Sequence, residues 1–151
     1  MNQPTTRQSS EPAADQPAAA PAADRPLIGA IEAGGTKMVL ACGYADGTIT
    51  ERTSIPTQDP AQTVSAMIEW FANKGIAALG IAAFGPTGVN PSLSTYGHIL
   101  QTPKLAWRNF DFLGAMSRGL GVPCGYDTDV NGACLGEVMY GAAKGLDSAM
   151  Y

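Results

Sequence analysis

The chain has 151 residues, of which 45% are hydrophobic and 15% are charged, and its formal net charge is −4. This composition is typical of a globular protein, and the length allows one sizeable core. The negative charge argues against a basic surface for nucleic acid or membranes. Because no run of about 18 apolar residues is present, nothing in the sequence predicts a membrane span. We expect a cytoplasmic protein.

Three cysteines, Cys42, Cys124 and Cys134, lie far apart and form no C-x-x-C pair. An odd number of separated cysteines favours reduced thiols over a disulfide framework. The single histidine, His98, has no ligand residues near it at metal-binding spacing, so we expect a loop or surface residue.

Residues 1–26 differ from the rest of the chain. The stretch Glu11–Asp24 is rich in proline and alanine and lacks large apolar side chains, which predicts a disordered tail. Its composition does not fit a secretory signal peptide, and its prolines would break a helix-turn-helix.

From Leu27 onward the pattern predicts three strands, then alternating helices and strands. A glycine pair separates the first two strands, and Asp46-Gly47 is a strong hairpin signal before a more polar third strand. Asp59-Pro60 is typical of a helix start, and either Asn109 or Asp111 is suited to cap a second helix. The predicted strands are 27–31, 38–42, 48–55, 76–84 and 124–126, and the helices are 60–75, 112–120 and about 130–143.

The predicted order is therefore β-β-β-α-β-α-β-α. Three antiparallel strands followed by βα crossovers give an α/β fold with a mixed sheet and helices on its faces. This is the order of the ribonuclease-H-like lobe, the unit from which actin-like ATPase domains are built.

The first candidate site is the turn after the first strand. Gly34 and Gly35 would let backbone N–H groups approach phosphate oxygens, Thr36 adds a hydroxyl and Lys37 adds a positive charge. Glu32, at the end of the strand, is suited to hold Mg²⁺ through water. A simple tight hairpin is the alternative. The spacing matches neither a Walker A loop nor a dinucleotide loop.

The second candidate site is the segment Tyr126–Glu137, where a strand ends and a helix begins. An aspartate there can accept the proton of a substrate hydroxyl that attacks a phosphate. Asp127 and Asp129 are both candidates, and we expect one of them to cap the helix instead. We favour Asp129 as the base.

The third candidate site combines the turn Gly85–Gly88 with the loop Gln101–Asn109. Polar groups beside an aromatic ring suit a carbohydrate. Trp107 is nevertheless more typical of a packing anchor than of a sugar platform.

Taken together, four motifs in register resemble the fructokinase branch of the ROK (repressor, ORF, kinase) family over about residues 27–151. The motifs are Glu32–Lys37, Phe84–Pro86, Thr102–Lys104 with Trp107–Asn109, and Asp127–Asn131 with Leu135–Glu137.

The resemblance implies an actin-like ATPase fold, with ATP and Mg²⁺ as cosubstrates and a sugar as acceptor. It also implies that Gly34, Gly35, Thr36 and Lys37 form a phosphate-binding loop and that Asp129 is the catalytic base. Segments that contain Gly88, Lys104, Thr128 and Asn131 would line the sugar pocket.

Two departures from the pattern of the wider family indicate which branch the sequence resembles. Glu32 stands where most ROK kinases have aspartate, as in similar fructokinases, and Asp127-Thr128 stands where glucose kinases usually have Glu-Asn. Both departures favour fructose over glucose.

The family's second lobe has no counterpart in these 151 residues. That lobe carries a second phosphate loop, further sugar ligands, the adenosine pocket and a zinc site, so we expect no zinc ligands here. The resemblance also implies a homodimer for the full-length form. We expect the N-terminal lobe of a kinase that makes fructose 6-phosphate. The alternatives are a kinase for another hexose, such as mannose or glucose, and a non-catalytic lobe or interaction module.

Overall fold

The computed structural model of the protein describes residues 25–151. This part of the chain folds into a five-stranded sheet, a two-stranded sheet and three α-helices. The strands are β1 (Ile28–Ala33), β2 (Lys37–Gly43), β3 (Ile49–Pro56), β4 (Ala78–Ala83), β5 (His98–Ile99), β6 (Phe110–Asp111) and β7 (Cys124–Thr128); the helices are α1 (Pro60–Phe71), α2 (Phe112–Leu120) and α3 (Asp129–Tyr140).

The main sheet has the strand order β3-β2-β1-β4-β7. The first three strands form an antiparallel meander, and β1, β4 and β7 run parallel to one another. The mixed sheet predicted from the sequence is confirmed. The polar loop predicted between β4 and α2 differs, because it pairs β5 with β6 in a small antiparallel hairpin.

Most of the predicted helix and turn signals act as expected. Asp59 caps α1 by accepting a hydrogen bond from the Gln62 backbone, and Gly47 adopts a positive φ of 88° in the β2–β3 turn. Asp111, rather than Asn109, caps α2 through the Gly114 N–H. Helix α1 ends at Phe71, four residues before Gly75, so the glycine follows the helix at a distance and does not cap it directly.

One face of the main sheet, which we call the inner face, carries the core. Alternate strand residues such as Ile31, Leu40 and Ile81 pack there against α1 and α2. Trp107 is 1% exposed and meets Phe84, Phe110 and Phe112 edge to face. Its indole N–H donates to the Gln58 carbonyl at 2.8 Å. The interpretation of Trp107 as a packing anchor is confirmed.

The opposite face, the outer face, is built from small residues. Ala30, Gly80, Ala82 and Gly125 occupy neighbouring positions on β1, β4 and β7. Helix α3 packs on this face, and a Cβ atom added to Gly132 would lie only 2.6 Å from the Ala82 Cβ. Because α3 and the sheet both have small residues at this point, the helix can approach the sheet closely.

All three cysteines are free, and burial raises the pKa of the Cys42 and Cys124 thiols, as expected for unreactive reduced cysteines. No helix within residues 25–151 is long and apolar enough to cross a membrane.

The predicted disordered tail lies outside the described residues except for its last two. Of these, Arg25 forms an ion pair with Asp46 at 2.5 Å and lies over the Tyr44 ring.

Two glycines on opposite faces of the sheet give matched variants for a stability test. A Cβ on Gly29 would lie 2.8 Å from Ile76 Cδ1 and 3.0 Å from both Leu79 and Phe71, whereas a Cβ on Gly80 would meet nothing within 4 Å. We expect Gly29→Ala to lower the free energy of unfolding by roughly 1–3 kcal/mol through overpacking. Gly80→Ala should raise it by about 0.5 kcal/mol by restricting the unfolded chain.

Urea denaturation of both variants and the parent chain measures this difference. Equal midpoints for the two variants would contradict the assignment of Gly29 to the packed inner face.

Candidate functional site

Three of the predicted functional segments meet at the carboxyl edge of the parallel strands. Ala33, Ala83 and Thr128 lie in one row across β1, β4 and β7. The turn between β1 and β2 contains Gly34 and Gly35, and we call it the glycine turn. This turn, the turn that begins at Gly85 and the start of α3 each come directly after a strand of this row along the chain. Since neighbouring strands are about 4.8 Å apart, the ends of β1 and β7 are separated by roughly 10 Å. The carboxyl edge of parallel strands is also where α/β proteins usually bind their ligands.

The glycine turn is tied to the main sheet from both sides. The Gly34 N–H donates to the Lys37 carbonyl at 3.0 Å, which closes the turn between β1 and β2. Thr57, just after β3, donates its hydroxyl to the Gly34 carbonyl at 2.7 Å and its N–H to the Thr36 carbonyl at 2.9 Å. The turn is therefore held in one conformation before any ligand arrives.

At the junction of β7 and α3, the residue that caps the helix is not one of the two aspartates expected from the sequence. Thr128 caps α3, because its hydroxyl accepts the Asn131 N–H at 3.1 Å. Neither Asp127 nor Asp129 is the cap. A threonine in extended conformation directly before the helix was better placed for this role than the acids on either side of it, so both carboxylates remain available for other partners.

The two aspartates at this junction have different surroundings. Asp127 Oδ1 accepts hydrogen bonds from the Thr128 N–H at 2.7 Å and from the Asn131 side-chain amide at 2.8 Å. Asp129 is the first residue of α3 and, among residues 25–151, accepts a hydrogen bond only from the N–H of its neighbour Val130, at 2.9 Å. Within the described residues, Asp127 Oδ1 thus accepts two hydrogen bonds and Asp129 Oδ1 accepts one, and the second oxygen of each carboxylate accepts none.

A groove of about 660 Å³ on the outer face joins these acids to Glu32. In the strand register, Glu32 and Asp127 lie on either side of Ala82. The small alanine leaves space between the two carboxylates, and Asp129 lines the same groove. The floor of the groove consists of the small outer-face residues and is apolar. The end of the groove that carries the three acids is polar.

The donor set of this groove suits a hydrated magnesium ion. Carboxylate oxygens are the ligands that Mg²⁺ prefers, and it usually retains several of its waters. Within residues 25–151, no three His, Cys, Asp or Glu side chains are grouped closely enough to hold a metal ion by themselves. A magnesium ion beside Glu32, Asp127 and Asp129 would therefore need water or the groups of a bound ligand to complete its coordination.

The structure shows the surroundings of two of the predicted sugar-pocket residues, Gly88 and Lys104. Gly88 is buried, its N–H donates to the His98 carbonyl at 2.9 Å, and an added Cβ would collide with the Thr95 carbonyl oxygen. These contacts give Gly88 a packing role. Lys104 lies against the glycine turn, where its Cε is 3.3 Å from the position of a Cβ on Gly35.

Two positioning contacts were not found from the sequence. Thr57 fixes the glycine turn, and a hydrogen bond between the Tyr126 and Thr87 hydroxyls ties β7 to the turn after β4. A single threonine or tyrosine has no motif, and both pairs are distant in sequence. Only the strand order brings these residues together.

The mixed sheet, its strand order and the helices on its two faces define the actin-like ATPase class of lobe. The sequence profile of the ROK family matches residues 28–151. The chain therefore belongs to the ROK family.

Individual relatives agree with this assignment. The fructokinase of Pediococcus pentosaceus is 46% identical over 125 residues, which are 83% of this chain and 43% of that protein. The fructokinase of Lactococcus lactis subsp. cremoris is 38% identical over 118 residues, or 78% of this chain and 41% of that protein.

Among solved structures, a ROK family glucokinase from Streptomyces griseus in complex with glucose and AMPPNP superposes with a TM-score of 0.65 at 25% identity. This match covers 80% of the chain and 38% of the glucokinase. The chain spans about two fifths of the length of the curated relatives it matches.

The buried tyrosine at the site predicts a pH effect on stability. Burial raises the pKa of Tyr126 to about 12, and the hydrogen bond to Thr87 acts in the opposite direction. In the unfolded chain a tyrosine ionises near pH 10. The stability contributed by neutral Tyr126 is therefore complete below about pH 10 and is lost as the pH rises toward about 12.

We expect the parent chain to lose more stability between about pH 9 and about pH 11.5 than the Tyr126→Phe variant, as measured by urea unfolding. Tyr151→Phe, at a tyrosine that is 75% exposed, is the control and should behave like the parent. An identical pH dependence for the parent and Tyr126→Phe would refute the prediction.

Proposed function

We propose that this lobe takes part in ATP-dependent phosphorylation of fructose to fructose 6-phosphate. The observation that carries the proposal is the placement of the glycine turn and Asp129 at one sheet edge, with two strand spacings between them. A phosphate-binding turn and a carboxylate at that separation can hold a phosphoryl donor and a sugar hydroxyl next to each other.

In this proposal Asp129 is the general base. Its free carboxylate oxygen accepts the proton of the sugar hydroxyl as that oxygen attacks the terminal phosphate. Asp127 Oδ1 accepts hydrogen bonds from Thr128 and Asn131, so this carboxylate is held in place and is suited to orient the sugar or the hydrated ion. Thr128 is primarily the cap that fixes the direction of α3.

The glycine turn is the proposed phosphate cradle. The Gly34 N–H is used within the turn, Gly35 exposes backbone, Thr36 and Lys37 are exposed at the edge, and Thr57 fixes the turn. Such preorganised donors stabilise charge that develops on a transferred phosphoryl group. When bound with ATP, Mg²⁺ would neutralise phosphate charge beside Glu32 and the two aspartates.

Fructose is the proposed acceptor because the relatives with 36–46% identity are fructokinases by name. Glu32 and Asp127-Thr128 favour the same branch. ROK neighbours in structure include kinases for other hexoses, so a hexose panel in the assay below measures the preference directly.

Replacement of the proposed base in a hybrid enzyme tests this function. Residues 27–151 would replace the corresponding N-terminal part of the Pediococcus pentosaceus fructokinase. We expect the hybrid to release ADP in a fructose-dependent manner. Asp129→Asn should lower kcat by at least about a hundredfold, because the general base is lost. A coupled assay of ADP release with fructose, mannose and glucose measures both the rate and the preference.

Asp147→Asn is the matched control, since this aspartate is exposed and lies outside the site. It should leave kcat unchanged. A folded hybrid without fructose-dependent turnover, or near-normal turnover after Asp129→Asn, would contradict the proposal.

A non-catalytic interaction module is the second candidate. The observation in its favour is an exposed apolar surface on α3 and the residues that follow it. Leu135 is 61% exposed, Tyr140 is 54% exposed and Leu146 is 61% exposed. Large exposed apolar side chains grouped on one segment are a feature of surfaces that contact another polypeptide segment. An inactive but folded hybrid would favour this candidate.

A further inference from the structure

The side chain of Lys104 lies on the glycine turn. Its Cε is 3.3 Å from the position that a Cβ on Gly35 would occupy, so the lysine stem contacts the turn where the glycine has no side chain. The ammonium group is one bond further on. The structure thus brings a second lysine to the same turn as Lys37, from a segment about 70 residues away in the sequence.

The backbone that carries Lys104 is firmly anchored. Lys104 immediately precedes a short 3-10 helix, Leu105–Trp107, and its carbonyl accepts the Trp107 N–H at 2.9 Å. Trp107 is 1% exposed, and Thr102, two residues before the lysine, is 2% exposed. With buried residues on both sides, the lysine stem starts from a fixed point.

The charge of Lys104 is not used within the described part of the chain. The ion pairs among residues 25–151 employ Arg25, Lys74 and Arg118 as their cations, and Lys104 takes part in none of them. The residue as a whole is half-buried, which agrees with the contact between its stem and the turn. An anion at the turn would meet a preplaced positive charge.

We propose that Lys104 binds the phosphate groups held by the glycine turn, and not the sugar. The inference rests on the proposed phosphate-binding function of that turn and assigns Lys104 to it. Charge-assisted hydrogen bonds from an ammonium group to phosphate oxygens are stronger than those to neutral hydroxyls. A cation between the turn and the bound anion would add to the backbone N–H donors.

The experiment uses the 151-residue chain and inorganic tripolyphosphate, a probe that needs only a phosphate site. Binding is followed through the backbone amide signals of Gly34, Gly35 and Thr36 in ¹H–¹⁵N spectra. Lys104→Met keeps the length and apolar stem of the side chain and removes its charge. We expect this variant to weaken tripolyphosphate binding by about five- to tenfold.

Lys104→Arg keeps the charge and should retain most of the affinity. Lys144→Met removes a lysine that is exposed beyond α3 and should bind like the parent chain. The dispersed spectrum of each variant shows that it is folded. A parallel titration with fructose should give the same response for Lys104→Met as for the parent.

The outcomes separate this inference from the proposed function. If tripolyphosphate shifts the turn signals equally in the parent and Lys104→Met, the role of Lys104 is overturned and the phosphate turn stands. If Lys104→Met changes only the response to fructose, Lys104 binds the sugar and its proposed role in phosphate binding is overturned. If the parent shows no shift at the turn, both the phosphate turn and the role of Lys104 fail.

Discussion

The parallel pairing of β1, β4 and β7 is the constraint on which the site depends. Since Ala33, Ala83 and Thr128 share one row, each strand delivers its following segment to the same edge. The glycine turn, the turn at Gly85 and the start of α3 are far apart in sequence and adjacent in space for this reason. A slip of one residue in β7 would move Asp127 to the opposite face of the sheet and disconnect it from Glu32.

The absence of bulk on the outer face gives the site its space. Gly132 of α3 lies against Ala82, and larger residues at either position would push the helix away from the sheet. Asp129 is the first residue of that helix, so the same close approach sets its position. Thr128 completes the arrangement by capping α3, which leaves the carboxylates beside it free to face the groove.

Much of the fold was predictable because its signals are local. Alternating apolar residues mark the strands, Asp59-Pro60 marks a helix start, and the order of elements indicates the topology. The cap of α3 and the positions of Gly88 and Lys104 were not predictable in this way. They depend on contacts between segments distant in sequence, as when Lys104 packs on Gly35 and Gly88 packs against Thr95. A motif shows that a residue belongs to a site but not which part of a ligand it meets.

The central claim of the proposed function is that the glycine turn holds the phosphate groups of ATP next to the aspartates at the start of α3. Paramagnetic broadening of backbone amide signals by Mn²⁺-ATP tests it most directly. Broadening should appear together at Gly34–Thr36 and at Asp127–Val130, and it should be absent at Gly75 and Gly121, which follow α1 and α2 at the opposite edge of the sheet. Broadening at only one of the two segments, or at neither, would contradict the claim.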